Sequence, residues 1–289
     1  MSAVTDTGSA VLNTRPGVLK RLVRNRSALI GGTLVTIFVL MALFAPLLPL
    51  ADPVKSNFLA IRKPPSELDW FGTDELGRDQ LTRIFFGAQA SLLAGIVSVL
   101  IALAIGIPFG LLAGWYGGWI DIVISRITEA LLACPFLILA IAFAAVLGPS
   151  LTNAMIAIGL SAVPIFIRLV RGQVLSVKAE DFVEGARAVG ARDLRLMFRH
   201  VLPNTLSPIV VQSTLFMAQA IILEAALSFL GLGQQPPSPS WGQMLNVAKN
   251  FMEQAPWMSV APGICIFLAV LGFNLLGDGL RDALDPKEG

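Results

Sequence analysis

The chain has a single histidine, His200, so any nucleophile that relies on an imidazole base has only that partner. Ser161, in the run "GLSA" at 159–162, sits in an apolar block as the nucleophile of an intramembrane protease would. Such a dyad needs its base within hydrogen-bond reach, and His200 belongs to a charged segment outside that block, so this chemistry is set aside. The phrase "GTDELGRD" brings Asp74, Glu75 and Asp79 together as oxygen ligands, yet their spacing lacks the regular pattern of a calcium loop. A phosphate-cradling loop ends in Gly-Lys-Ser/Thr, and no Gly-Lys pair exists in the sequence. The expectation is a chain with no catalytic, cofactor-binding or metal residues of its own, whose energy arrives through contact.

Acids within apolar blocks are functional candidates because an unpaired charge in lipid is costly. Glu129 lies three residues from Arg126, and an ion pair within one helix is its expected role. Glu224 is read two ways with equal weight, as a substrate or gate contact and as a structural bond to a neighbouring helix. Gln212, Gln219 and Asn274 either line a path or bond helix to helix, and bonding is favoured. The remaining concentration of charge is 184–204, "EGARAVGARDLRLMFRHVLPN", which holds Arg187, Arg192, Arg195, Arg199 and His200 between two blocks fit for lipid.

The elements that must position these residues follow from hydropathy. The composition is 55% hydrophobic and 14% charged, and the apolar residues form long blocks, which identifies a polytopic membrane protein. Six blocks approach the roughly 20 residues a helix needs to cross hydrocarbon: 28–50, 88–113, 120–147, 151–167, 206–232 and 258–276. The fourth is short and contains Pro164, so a five-span chain is the alternative. Fifteen Lys and Arg fall on the side of the N-terminus and six on the other, which places both termini in the cytoplasm. Residues 1–27 form a cytoplasmic segment and 28–289 the transmembrane domain, with outer loops 51–87 and 233–257 and a cytoplasmic loop at 176–203. The net charge of +2 reflects this asymmetry and implies no nucleic-acid partner. Cys134 and Cys265 are read as small apolar fillers.

Gly106, Gly110 and Gly114 recur every four residues, with Ala102 on the same stripe. Small residues let helices in lipid approach closely, so the second span is expected at the centre. The stretch 241–257 reads as amphipathic and is expected at the outer interface. In the cytoplasmic loop a helix is expected from after Ser176 through Val189, stopped by Gly190 in the left-handed conformation, with a second amphipathic run from Asp193 ending before Pro203. Phe182, Ala186 and Val189 share one side of the first helix, a small apolar knob ringed by charge. Docking on a protein and lying flat on anionic lipid are both open to such a helix.

The loop then resembles something specific. Glu184-Gly185-Ala186, three residues, Gly190, nine residues, His200 and Leu202-Pro203 are similar to the EAA loop of ABC-importer permeases, whose usual form has Ala for Gly185 and Ile for His200. "FRHVLPN", "FGTDELGRD", "GWYGGWID", "LSFLGLGQQPPSPSWGQML" and "FNLLGDGLRDALDP" resemble the C-type permease of the dipeptide, oligopeptide and nickel branch, in the right order over nearly the whole chain. The resemblance implies an all-α, type I ABC-importer transmembrane domain in a bacterial or archaeal inner membrane. It implies a second, B-type permease, two ABC ATPases that bind ATP and Mg, and an extracytoplasmic substrate-binding protein. Phe182, Glu184, Gly185, Ala186, Arg187, Gly190, Arg192, His200, Leu202 and Pro203 would form the ATPase-coupling loop. Within it Glu184 would fix the loop by a hydrogen bond, Gly190 set the turn, Ala186 keep the contact face low, and Arg187 and Arg192 meet acidic groups of the ATPase. Gln212, Gln219 and Glu224 would stand at the pathway or gate. Asp74, Glu75, Gly77, Arg78, Asp79 and Trp241 would support the docked binding protein. Peptides are the expected cargo; glutathione, nickel chelates and opine-like solutes are alternatives within the class, and a self-contained secondary carrier or channel is the alternative outside it.

Overall fold

The computed structural model describes residues 18–284, within which every helix or strand longer than a single bridge is helical. Arg15 and Lys287 of the charge count lie outside the described residues, as do the first 17 residues of the N-terminal segment. A short basic helix, α1 (Val18–Arg24), breaks at Asn25, whose side chain accepts from the Ala28 N–H at 3.1 Å and so caps α2 (Arg26–Phe44). After the outer loop, Asp79 caps α3 (Gln80–Tyr116) by accepting from the Leu81 and Thr82 N–H groups. Next come α4 (Gly118–Leu132), α5 (Phe136–Leu147) and α6 (Leu151–Lys178). The cytoplasmic loop holds α7 (Asp181–Ala188) and the single turn α8 (Asp193–Arg195), and a π turn, Leu196–Val201, leads into α9 (Leu202–Phe229). The chain closes with α10 (Trp241–Ala248) and α11 (Trp257–Leu284).

Five helices are long and apolar enough to cross a membrane, and the α4–α5 pair supplies a sixth span if counted as one. That third span is broken where a continuous one was expected: α4 and α5 meet at 93°. Pro135 accounts for the break, because proline has no N–H to continue a helix and disfavours helical geometry in the residue before it. The fourth span is no weak element. It runs 28 residues through Pro164, which is buried inside the helix. Its modest apolar character has a physical reason, since α6 is the span most enclosed by protein rather than lipid. A helix buried in its own bundle tolerates proline and polar residues that a lipid-facing helix would expose at a cost.

The glycine stripe of α3 is a seam against α6. A Cβ on Gly106, Gly110 or Gly114 would stand 2.5, 2.6 or 2.7 Å from the Cβ of Phe166, Val170 or Val174. On the same seam Gly159 of α6 admits the Ile101 side chain. The central position expected for α3 is therefore realised by backbone approach that no larger residue permits. Gly110→Leu is expected to force the two helices apart at a cost of about 1–3 kcal/mol, the usual range for overpacking. Fluorescence-detected size exclusion after stepwise heating checks this; an unchanged melting midpoint would remove the seam from the account.

Two of the loop expectations are corrected. The first cytoplasmic helix is interrupted at Ala179–Glu180, so α6 ends and α7 begins as a separate body. The second run does not end before Pro203 but continues through it into α9. The ring of Pro203 would meet the carbonyl four residues earlier, that of Arg199. Arg199 lies in the π turn, whose wider winding relieves the clash.

Candidate functional site

The cytoplasmic loop is built around a small apolar cluster. Val183, 1% exposed, points from α7 into Leu111 and Trp115 of α3, Val170 and Val174 of α6, and Leu196, Met197 and Val201 of the π turn. Ala186 packs on the same cluster. The Arg187 guanidinium stands 5.4 Å from the Trp115 ring centroid, beside the Lys178 ammonium at 5.3 Å, within the range of a cation–π contact. Lys178 also donates to the Trp115 carbonyl at 2.5 Å. The N–H groups of Gly190 and Ala191 donate to the Arg187 and Ala186 carbonyls, and Gly190 has φ +86°, the left-handed stop that was expected.

What remains outward is Phe182 at 46% and Val189 at 87% exposure, with Glu184, Gly185 and Arg192 around them. The knob is thus smaller than expected: Ala186 turns to its own bundle beside Val183, while Arg187 stays exposed with its guanidinium over Trp115. The Glu184 carboxylate takes no hydrogen bond from the chain among the described residues, so it does not fix this loop from within. His200 is half-buried and its carbonyl accepts from Asn204 Nδ2 at 2.6 Å; Leu202 packs on the cluster and Pro203 is exposed. Leu194 and Phe198, which are not among the residues expected to couple, are exposed on the same loop. Their spacing of four, at the start of a basic amphipathic run, was the available signal.

On the outer side the residues expected to dock a binding protein mostly build the loop itself. Asp74 and Arg78 are buried and paired at 2.6 Å, and Arg78 reaches Glu75 at the same distance. Burial, helped by Asp74, pushes the Glu75 carboxyl above the usual glutamate range despite that contact. Gly77 is buried with its Cα against the Asn57 backbone, and Asp79 is spent on capping α3. Arg83 draws the two outer loops together: its guanidinium donates to the Pro53 carbonyl at 2.7 Å, the Pro237 carbonyl at 3.2 Å and Gln243 Oε1 at 3.1 Å, and lies 3.3 Å from Asp74.

Trp241 has no exposure at all. Its indole N–H donates to the Ile84 carbonyl at 3.1 Å and its ring meets Phe38 edge-on at 5.4 Å. Far from lying at the outer interface, α10 is tucked into the bundle, where Gly87 and Ala225 leave room for it. The side chains actually presented outward are Phe58, Leu59, Leu68, Trp70 and Phe71. Phe71 opens the charged phrase 71–79 and Trp70 directly precedes it.

The three gate candidates do not form one surface. Glu224 is fully buried and accepts from Ser91 of α3 at 2.9 Å and Ser228 at 2.7 Å, with Ser240, the α10 cap, 3.4 Å from Ser228. It is a structural tie between α3, α9 and the outer loop, the second of its two readings. Gln219 is exposed on the bundle surface. Gln212 lines a recess of about 570 Å³ with Asn204, Ser207 and Arg281. Glu129 pairs with Arg126 at 2.9 Å, as expected, in an exposed position. The Ser161 hydroxyl donates to the Ala157 carbonyl at 2.7 Å and is buried, so it has no free nucleophile role.

Residues 106–288 match the binding-protein-dependent transport system inner membrane component family, and residues 17–65 match the N-terminal transmembrane domain of oligopeptide transport permease C. The dipeptide transport system permease protein DppC of Alkalihalophilus pseudofirmus is 51% identical over 93% of this chain and 88% of its own length. The glutathione transport system permease protein GsiD of Salmonella typhimurium is 49% identical over 93% and 89%. The fold is similar to a chain of the inward-facing MetNI methionine ABC transporter, with a TM-score of 0.56, 22% identity, and 69% and 95% of the two chains covered. The chain belongs to the binding-protein-dependent inner-membrane components of ABC importers, as a noncatalytic, multi-pass permease subunit that works with a partner permease, ATPases and a binding protein.

Proposed function

We propose that this chain forms, with a B-type permease, the passage through which dipeptides and oligopeptides enter the cytoplasm. In this reading two ATPase subunits, which hold ATP and Mg, grip one coupling loop on each permease, and a substrate-binding protein delivers the cargo to the outer face. The observation that carries the proposal is that α7 turns one apolar residue inward and leaves others exposed on an adjoining face. Val183 anchors it in the bundle while Phe182 and Val189 stand in water. Exposed apolar side chains at a fixed place mark a partner surface, and an anchored helix passes a partner's movement to α3, α6 and α9 as a rigid body. Peptide cargo is favoured over glutathione, nickel chelates or opine-like solutes by the 51% identity to a dipeptide permease. Reconstitution tests it: proteoliposomes holding both permeases and the ATPases should take up labelled dipeptide only with ATP and binding protein. Uptake by this chain alone, without nucleotide, would instead make it a self-contained carrier.

A further inference from the structure

The junction of α1 and α2 carries a groove of about 350 Å³ lined by Leu22, Val23, Ala28, Leu29, Gly32 and Thr33 with their neighbours, and its wall is mostly apolar. Glycine at 32 makes the groove, since a Cβ there would meet only Leu276 at 3.9 Å. The hydroxyls of Thr33 and Thr36 donate back to the Leu29 and Gly32 carbonyls, which leaves the floor effectively apolar. Arg24, which follows the lining residue Val23, and Arg26, one helical turn before the lining residue Leu29, are exposed, and neither is in an ion pair among the described residues. The chain break at Asn25 adds a second feature. The Asn25 side chain satisfies the Ala28 N–H, but the N–H groups of Arg26 and Ser27 have no partner among the described residues. Asn25 Nδ2 donates to Asp282 at 2.8 Å, which ties this corner to α11.

We propose that the groove is a binding site for one anionic phospholipid of the inner leaflet. Its acyl chain lies along Gly32 between α1 and α2, and its phosphate meets Arg24, Arg26 and the first-turn N–H groups of α2. Charge complementarity selects this occupant. The first turn of a helix and two free guanidiniums favour a phosphate, the basic side is the one facing the anionic leaflet, and an apolar groove continuous with the hydrocarbon fits a chain rather than a soluble anion. The site lies at the junction of α1 and α2, away from the cytoplasmic loop and from both outer loops.

The intact importer, placed in nanodiscs of phosphatidylcholine with or without phosphatidylglycerol, provides the test. Native mass spectrometry after release should find phosphatidylglycerol retained in preference to phosphatidylcholine, and heating should show a higher melting midpoint in the mixed lipid. Arg24→Gln and Arg26→Gln should each reduce that preference about fivefold, the factor expected for one basic side chain at an anionic surface. Gly32→Leu, which fills the groove and leaves both charges, should reduce it as well. If the arginine variants lose the preference and Gly32→Leu keeps it, the lipid is only held at the surface and the groove site is wrong. Preference unchanged in all three, or efficient disulfide cross-linking of Thr33→Cys to the partner permease, would also overturn it. Elution of every variant as the full complex guards against reading misfolding as lost binding.

Discussion

Changing Phe182 and Val189 together to aspartate is expected to release the ATPase subunits from the purified complex while the permease pair stays assembled. Each side chain contributes on the order of 1.5 kcal/mol if it is buried against a partner, so the pair loses about 3 kcal/mol, or roughly a hundredfold in affinity. Both residues are exposed in the chain itself, so their loss costs the bundle little. Val183→Asp is the contrasting change, because it puts a charge into the cluster beneath α7 and should unfold the loop. Copurification through a tag on the permease reads the first effect and limited proteolysis of the loop reads the second. Retention of the ATPases by the Phe182/Val189 variant would mean that α7 is not where the motor holds. The more drastic pair Glu184→Arg with Gly190→Pro should act in the same direction. Proline cannot take the positive φ of Gly190, and the new charge sits beside the knob.

The other large effect belongs to the outer face. Arg83→Met should open the outer loops, because it strips a buried guanidinium from the Pro53 and Pro237 carbonyls, from Gln243 and from Asp74 at once. Breaking a buried, hydrogen-bonded ion pair costs about 3–5 kcal/mol. A local opening reaction should therefore become at least about a hundredfold more populated. Protease applied from the outer side of sealed vesicles would cut within 51–79 in the variant and spare the wild type. Arg126→Met is the control. Its pair with Glu129 is exposed at both ends, and surface pairs contribute about 0–1 kcal/mol. If Arg83→Met is as resistant as that control, the outer loops are held by something other than this guanidinium.

These two sites differ in how openly the sequence displayed them. The left-handed stop at Gly190 was legible because a helix terminus is a local event, fixed by one residue's freedom at positive φ. The direction in which α7 faces was not. Phe182, Val183, Ala186 and Val189 are all apolar, and periodicity does not say which neighbours supply the inner wall. That was decided by Trp115, 68 residues before Val183, which collects Lys178 and Arg187 above it. At the outer face the polar residues drew notice for their charge, yet charge within a folded loop is consumed internally. Asp74 finds Arg78 and Arg83, Asp79 finds two backbone N–H groups, and the side chains left exposed are the aromatic residues Trp70 and Phe71.

The sequence by itself determined the membrane class, the number of apolar blocks and the central role of the Gly106–Gly110–Gly114 stripe. All of these follow from composition and short-range periodicity, which act residue by residue on transfer to lipid and on backbone approach. Tertiary structure alone decided that the third span is bent, that α6 runs unbroken through Pro164, that Trp241 and Glu224 are inside the bundle, and that Val183 anchors α7. Each of those outcomes depends on partners far away in the chain: a slot beside Gly87, serines on three different elements, an aromatic ring at the end of α3. A side chain's type sets what it can bond to, but the packing of distant helices sets whether that partner is the chain itself, the lipid or another protein.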